Sequence, residues 1–553
     1  MLKRLIQAAL AIELRKIPNW RGAADFLVEP FHRFIRRPKI FDAMEPVVWL
    51  GSAALVIGFC IYGGFFTESA ASVFKALQVY ISTQFGWFYI LSASFFLGFV
   101  IWLYFSPYGN IRLGKDDDEP EFSTFAWFTM LFSAGMGIGL VFWGIAEPIM
   151  HYQNPPTALG GTPEAMVESL RFTFFHWGFH PWAVYITFAI GIAYYHFRLG
   201  LPLAPRSLLY PIIGERFRGM PGHLVDILCT VGTLFGVATS LGFGAMQINI
   251  GISNYTGLPI AANVQIWIIF IITIIATFSV VSGIHKGIKL LSQFNILLAL
   301  ALLMFVLVAG PTLFQLRLLT TTIGDYFQNI VGMSYWIGEG KASTWQQSWT
   351  IFYWGWWISW SPFVGIFVAR VSKGRTVKEF VRMVFLAPTG VTFLWLAVFG
   401  GTGLQMELHG AGDIAAAVTE NVALSLNAVL SHLPFASVTP AIATLLVITF
   451  FVTSSDSGSL VDDMVTSGGH PDPPTSQRIF WSSAEGAVAA VLLATGGLAA
   501  LQTASIASGL PITVLLLFAS YGLVKSFRVD SLRRGGPKQP KESATVVAEG
   551  EAR

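Results

Sequence analysis

Apolar residues in this chain gather in blocks of about twenty, and that grouping decides which solvent the chain folds in. A helix of that length spans the roughly 30 Å hydrocarbon core of a bilayer. Twelve such blocks can be read, at about 46–66, 85–105, 124–147, 172–197, 223–252, 264–283, 289–313, 345–371, 380–404, 438–461, 479–500 and 504–525. Only 12% of the 553 residues are charged while 54% are hydrophobic, so the chain cannot cover itself in water. In lipid the backbone must bond to itself, which makes an all-α membrane protein the expected fold class. Twelve transmembrane helices, an even count, put both termini on one side of the membrane.

The basic residues report which side. Positive charge is retained in short cytoplasmic loops, and 30 of the 34 lysines and arginines fall before the first block, after the last, or in alternate loops between them. Only Lys75, Arg171, Arg317 and Lys341 fall on the other side. Both termini are therefore expected in the cytoplasm, with the chain multi-pass in the inner (cytoplasmic) membrane. The net charge of +3 follows this rule and gives no reason to expect a nucleic-acid partner. No cleavable signal is visible in the charged first 40 residues. Cys60 and Cys229 lie inside predicted spans, which disfavours a structural disulfide or a zinc site.

The organisation that results has a cytoplasmic N-terminal segment at 1–45, in which Phe31–Ile40 can lie on the membrane surface or be solvated. Two leading helices follow at 46–123, then spans three to seven at 124–313. An extracytoplasmic connection at 314–344 leads to spans eight to twelve at 345–525 and a polar C-terminal tail at 526–553. No soluble domain is expected.

Two spans look broken. The third carries Gly135-Met136-Gly137-Ile138-Gly139, three glycines at alternate positions, each costly to a helix. The eighth carries Ser359-Trp360-Ser361-Pro362, where a proline removes a helical hydrogen bond. Spans three and eight each begin a run of five helices, and paired interruptions in corresponding halves point to a five-plus-five inverted repeat with a binding site at the midplane.

Aromatic residues suggest what that site binds. Span eight has five tryptophans in twelve positions, Trp349, Trp354, Trp356, Trp357 and Trp360. Trp349 fits an interfacial belt, but Trp356, Trp357 and Trp360 lie near the middle of the span, where an indole N–H needs a partner. Span four adds Trp177, Trp182 and Tyr185. Faces of this kind suit a quaternary ammonium, which has no N–H to donate and is held by cation–π attraction. No Asp or Glu lies in the middle of spans three, four or eight, and Glu147 stands at the outer end of span three, so charge pairing is not the evident mechanism. His176 and His180 have metal-ligand spacing without an apparent third ligand and read more simply as hydrogen-bonded structure. There is no GxxxxGK[ST] motif for ATP, and no clustered acid–base set for an enzyme acting on lipid head groups. A secondary carrier driven by an ion gradient is the expectation, and a channel or sensor without coupled transport is the remote alternative.

The strings Ala134 to Gly139 continuing through Ala146-Glu147-Pro148, Phe175-His176-Trp177 with His180-Pro181-Trp182, and Trp354 through Gly365 to Arg375 closely resemble the betaine/choline/carnitine transporter family. The similarity runs from about Val47 to Lys525. It implies the twelve-helix inverted-repeat fold of the neurotransmitter sodium symporters and a homotrimer in the lipid bilayer, with no cofactor beyond a coupling ion. Carried over by motif, the substrate site comprises Trp177, Trp182, Tyr185, Trp356, Trp357 and Trp360, with Met136, Gly137 and Gly139 offering backbone N–H groups to a carboxylate. Phe367 matches a cytoplasmic gate.

Sodium-coupled members hold an ion at positions matching Ser133, Met136, Phe450, Thr453 and Ser454, oxygen ligands suited to a hard cation. A second sodium site in such members uses two threonines four apart in span five; here Thr233 is followed by Val237. Span five and Ile323-Gly324-Asp325-Tyr326 look more like the proton-driven choline branch, so Na+ and H+ both stay open. Choline carriers often place Asp where this chain has Gly139, which leans the substrate toward glycine betaine, with choline or carnitine as alternatives.

Overall fold

The computed structural model describes residues 44–135, 137–281, 285–410, 412–470 and 473–535. The surface role considered for Phe31–Ile40, and the tail beyond 535, lie outside the described residues. Among those described there is no β-strand, only an isolated bridge between Arg112 and Thr376. The principal helices are α1 (Pro46–Phe65), α2 (Thr67–Phe105), α3 (Thr124–Gly135), α4 (Ile138–Gln153), α5 (Pro163–Trp177), α6 (Phe179–Ala193) and α7 (Met220–Thr256). They continue as α8 (Ala262–Val281), α9 (His285–Ala309), α10 (Thr312–Tyr335), α11 (Thr350–Arg370), α12 (Val377–Leu408), α13 (Thr439–Thr466) and α14 (Thr475–Gly535).

Eight of these helices are long and apolar enough to cross a membrane unaided. The last of them is two spans, because Gly496 (φ −170°, ψ 15°) and Gly497 (φ 55°, ψ −133°) leave the helical region. The positive φ of Gly497 suits a residue without Cβ. Spans eleven and twelve therefore meet at 496–497 rather than in a loop near 501–503. The remaining crossings are the pairs α3–α4 and α5–α6, each cut in two, and α11, whose four tryptophans and one tyrosine dilute its aliphatic character. The result is an all-helical, multi-span membrane protein. Phe65, Phe278 and Val308, at 82%, 73% and 73% exposure, face outward as lipid-solvated side chains do.

Span three breaks as the glycines require: α3 stops at Gly135, α4 starts at Ile138, and Gly137 between them is extended (φ −155°, ψ −152°). Span eight does not break. Pro362 has no N–H to give the carbonyl of Ile358 four residues back, but the Ser361 hydroxyl donates to that same carbonyl at 2.7 Å and α11 runs on unbroken to Arg370. The matching interruption expected in span eight is thus repaired by a neighbouring side chain. A break that the sequence did not announce lies in span four instead, at Gly178 (φ −93°, ψ −128°). Here a Cβ would lie 2.5 Å from the carbonyl oxygen of Phe174. The 314–344 connection also differs from a plain loop, since α10 occupies most of it and packs over this break: the Tyr326 hydroxyl accepts the N–H of Phe179 at 3.4 Å.

α11 runs through the interior, with all its residues buried except Phe367 and Arg370. Glycines let its neighbours approach closely. A Cβ on Gly355 would lie 2.8 Å from the Ile506 Cα, one on Gly365 2.5 Å from Phe188 Cδ1, and one on Gly236 of α7 3.2 Å from Ser359 Oγ. Tyr89 ties α2 to the same region by donating its hydroxyl to the Ile506 carbonyl at 2.5 Å. Because Gly355 meets backbone, Gly355→Val is expected to lose about 1–3 kcal/mol of stability from overpacking. Gly390→Ala on α12, with nothing within 4 Å of its Cβ, should be neutral or slightly stabilising. Thermal unfolding of the purified protein in detergent checks both, and an unchanged midpoint for Gly355→Val would contradict the packing.

Candidate functional site

The six aromatic residues singled out from the sequence come together where α5 ends, α6 begins and α11 passes. Trp177 is the last residue of α5, next to the break at Gly178, and its ring meets α11. Its centroid lies 4.9 Å from Trp357 at 73° and 6.0 Å from Trp356 at 87°. Trp356, Trp357 and Trp360 run nearly parallel, with Trp356 at 4.6 Å from Trp357 and 6.0 Å from Trp360. Tyr185 stands edge-on to Trp357 at 6.3 Å, and Trp182 edge-on to Tyr185 at 5.5 Å. All six are buried, and among the described residues the indole N–H groups of Trp356 and Trp360 and the Tyr185 hydroxyl have no hydrogen-bond partner. Three polar groups without partners in an apolar setting are costly unless something else occupies them.

The first turn of α4 borders this cluster. A Cβ on Gly139 would stand 2.5 Å from Cη2 of Trp356 and 3.2 Å from Cη2 of Trp177, so glycine is what lets the rings reach the helix. An aspartate at this position would require the Trp356 ring to move. Among the described residues no side chain caps the N-terminus of α4 at Gly137, and helix geometry leaves its first amides without intrahelical partners. Met136 lies outside the described residues. Phe367 sits two turns along α11 from Trp360 on the same face, partly exposed.

The residues expected around a cation are divided. Met136 and the side chain of Ser133 are not described. A Cβ on Gly137 would lie 3.7 Å from Ser454 Oγ, so α13 does meet the break in span three. The Thr453 hydroxyl is engaged within its own helix, donating toward the carbonyls of Thr449 at 3.0 Å and Phe450 at 3.2 Å while accepting from Asn295 Nδ2 at 3.1 Å. A Cβ on Gly458 would stand 2.9 Å from Val237 Cγ2 and 2.7 Å from Oε1 of the buried Glu485, whose Oε2 accepts from Ser455 Oγ at 2.8 Å.

Glu147 corrects the sequence expectation most. Read as the outer end of span three, it is instead well inside α4, which continues to Gln153, and it is 0% exposed. Its Oε2 accepts the Trp177 indole N–H at 2.8 Å and the Tyr353 hydroxyl. Its Oε1 lies 2.7 Å from His176 Nδ1 and 3.2 Å from His151 Nε2. His176 Nε2 pairs with Thr350 Oγ1 at 3.0 Å, and the His176 carbonyl accepts the Trp357 indole N–H at 2.8 Å. Two of the clustered tryptophans are thus oriented by one network. Sequence reasoning missed Glu147, His151, Thr350 and Tyr353; the available signal was the i, i+4 pair Glu147 and His151 in an apolar helix.

His176 and His180 do not converge on one point. His180 Nε2 pairs with Ser334 Oγ at 2.9 Å and its ring stacks on Trp354. Ligand atoms of Glu147, His151 and His176 do lie within 4.8 Å of one another, but both imidazoles contact the same carboxylate oxygen at hydrogen-bond distance. Trp349 is no belt residue: it is 9% exposed and packs 4.5 Å from His151 and 5.3 Å from Trp143, closing the network from outside.

Comparison with known proteins points one way. The sequence profile of the family described as BCCT, betaine/carnitine/choline family transporter, matches residues 47–532. The chain is 44% identical over 492 residues to a protein named probable glycine betaine transporter from Desulfitobacterium hafniense, covering 88% of this chain and 99% of that one. It is 45% identical over 486 residues to a glycine betaine transporter of Bacillus subtilis, covering 87% and 94%. A glycine betaine/proline/choline/ectoine transporter of Vibrio parahaemolyticus is 44% identical over 499 residues, covering 89% and 88%.

The Glu147 network makes its own demand on stability. Tyr353→Phe removes one of the donors to a buried carboxylate and should destabilise the protein by about 1.5–3 kcal/mol. The measurement is the unfolding midpoint in detergent, and a wild-type midpoint would mean that the hydroxyl does not bear on Glu147.

Proposed function

The chain belongs to the betaine/carnitine/choline transporter family, and on that premise we propose that it is a secondary active, ion-coupled carrier taking up a quaternary-ammonium compound, glycine betaine before choline or carnitine. The observation that carries this reading is the buried cluster of Trp177, Trp182, Tyr185, Trp356, Trp357 and Trp360 beside the uncapped N-terminus of α4. A trimethylammonium group cannot donate a hydrogen bond, so ring faces supply its attraction, worth about 2 kcal/mol or more for a well-placed desolvated ring. The carboxylate of a betaine accepts from the unpaired amides at Gly137 and Gly139, where the helix dipole also favours negative charge. Phe367 serves as the cytoplasmic gate, both termini face the cytoplasm, and the protein assembles as a homotrimer in the inner membrane.

Coupling to sodium through the break in span three and Phe450, Thr453 and Ser454 is supported by the approach of Ser454 to Gly137. A proton-coupled choline carrier is the second reading. It is favoured by Val237, which brings no oxygen, and by the Thr453 hydroxyl being engaged within α13.

Uptake into proteoliposomes with imposed sodium or proton gradients tests the whole reading. Labelled glycine betaine should accumulate against its gradient, and failure to concentrate betaine, choline or carnitine under either gradient would refute it. Trp360→Leu should weaken substrate binding by about tenfold or more, read from tryptophan fluorescence, because a cation-facing ring is lost. Thr453→Ala together with Ser454→Ala should abolish sodium stimulation of uptake. Undiminished uptake that responds only to a pH gradient would transfer the coupling to protons.

A further inference from the structure

Among the described residues, Glu147 is the one carboxylate hydrogen-bonded to a ring of the aromatic cluster. It is 0% exposed, and its contacts are Trp177, Tyr353, His176 and His151, none of them a lysine or arginine. Tryptophan only donates. The pairing fits one tautomer of each imidazole: with Thr350 donating to His176 Nε2, the His176 proton lies on Nδ1 facing Glu147, and His151, whose Nδ1 has no partner among the described residues, carries its own on Nε2. Both rings are then neutral. Four neutral donors converge on two oxygens, a carboxylate satisfied in hydrogen bonds and uncompensated in charge.

The Trp177 indole lies along α4. Its Cη2 edge is 3.2 Å from where a Cβ on Gly139 would stand, and its N–H is 2.8 Å from Glu147, eight residues further and about 12 Å along the helix. One side of the ring therefore borders the end of α4 that favours anions, and the other is bonded to a buried anion. Hydrogen bonding to an anion pushes electron density into the ring and deepens the negative face that a cation seeks. In a water-excluded interior the charge itself also reaches across one indole with little screening.

We propose that Glu147 is the counter-charge of the aromatic site, a positioning residue that acts through the Trp177 indole and makes the site select positive charge as well as shape. The inference rests on the quaternary-ammonium reading above and adds what that reading leaves open: how a chamber without a carboxylate in contact with the substrate rejects molecules of the same form that lack the positive charge. Glu147 also orients a zwitterion, drawing the ammonium toward the Trp177 N–H side while the carboxylate faces Gly137 and Gly139.

The test uses the full chain in nanodiscs and the pair glycine betaine and 3,3-dimethylbutanoate, in which carbon replaces the quaternary nitrogen with shape kept. Displacement of labelled betaine gives the preference for one over the other. Wild type should prefer betaine, and Glu147→Gln should shrink that preference by about tenfold or more, since the charge goes while the hydrogen-bonding frame is largely retained. A Gln variant that binds both ligands more weakly with the preference unchanged would reduce Glu147 to a structural role and overturn the proposal, leaving the quaternary-ammonium reading intact. Wild-type protein that binds no quaternary ammonium at all would overturn that underlying reading instead. Should Glu147→Gln fail to accumulate, benzothienylalanine at position 177 keeps the ring and removes the N–H. It should lower the preference about threefold, and an unchanged preference would overturn the proposal in the same way.

Discussion

A polypeptide in lipid has no water to complete its hydrogen bonds, so each place where a helix stops short must be answered by protein or enclosed within it. The irregular points of this chain are answered in different ways. Pro362 is repaired locally by Ser361, and α11 stays whole. The break at Gly178 is covered by Tyr326 of α10. The break between Gly135 and Ile138 has no side-chain cap at Gly137 among the described residues, and it too lies beside the aromatic cluster. Amides left unpaired in an apolar interior are unfavourable by a few kcal/mol each unless met, which is why the proposed function places the carboxylate of a ligand there.

The same interior explains why the cluster is aromatic. Rings bring large apolar surface, which the packing of α11 against α6, α7 and α14 requires, together with the negative face that the proposed function uses for a cation forming no hydrogen bonds. Their orientation is not left to packing alone. Trp177 is tied to Glu147 and Trp357 to the His176 carbonyl, while Trp356 and Trp360 keep unpaired N–H groups. Glycines at 139, 236 and 355 supply the close approaches, and each lies where a Cβ would meet a ring, a side chain or a backbone atom. Rigidity on one wall and unmet polarity on the other is the arrangement a pre-formed binding site needs.

Much of this was legible in the sequence because lipid imposes length and charge rules that leave few choices. Block length gave the spans, and the glycines at 135, 137 and 139 announced their break. The mid-span tryptophans separated themselves from a belt, all except Trp349, whose place at the start of the span looked interfacial and whose burial against His151 depends on a tertiary contact. The remaining errors share that cause. Pro362 was read as a breaker because the donor that replaces its N–H belongs to its neighbour's side chain. Gly178 was a single glycine with no pattern around it, and the turn at Gly496 and Gly497 was masked by apolar residues on both sides. Glu147 sits where the apolar block of span three runs out; its burial and its four partners, three of them on two other helices, cannot be read from one-dimensional spacing.

The central claim is that a quaternary ammonium sits among these rings with its carboxylate at the broken end of α4. A cryo-electron-microscopy structure of the protein with glycine betaine in nanodiscs measures this directly. The account predicts ligand density bounded by Trp177, Trp356, Trp357 and Trp360, with the carboxylate directed at the amides of Gly137 and Gly139. Saturating betaine bound elsewhere, with these rings closed on one another as before, would contradict it.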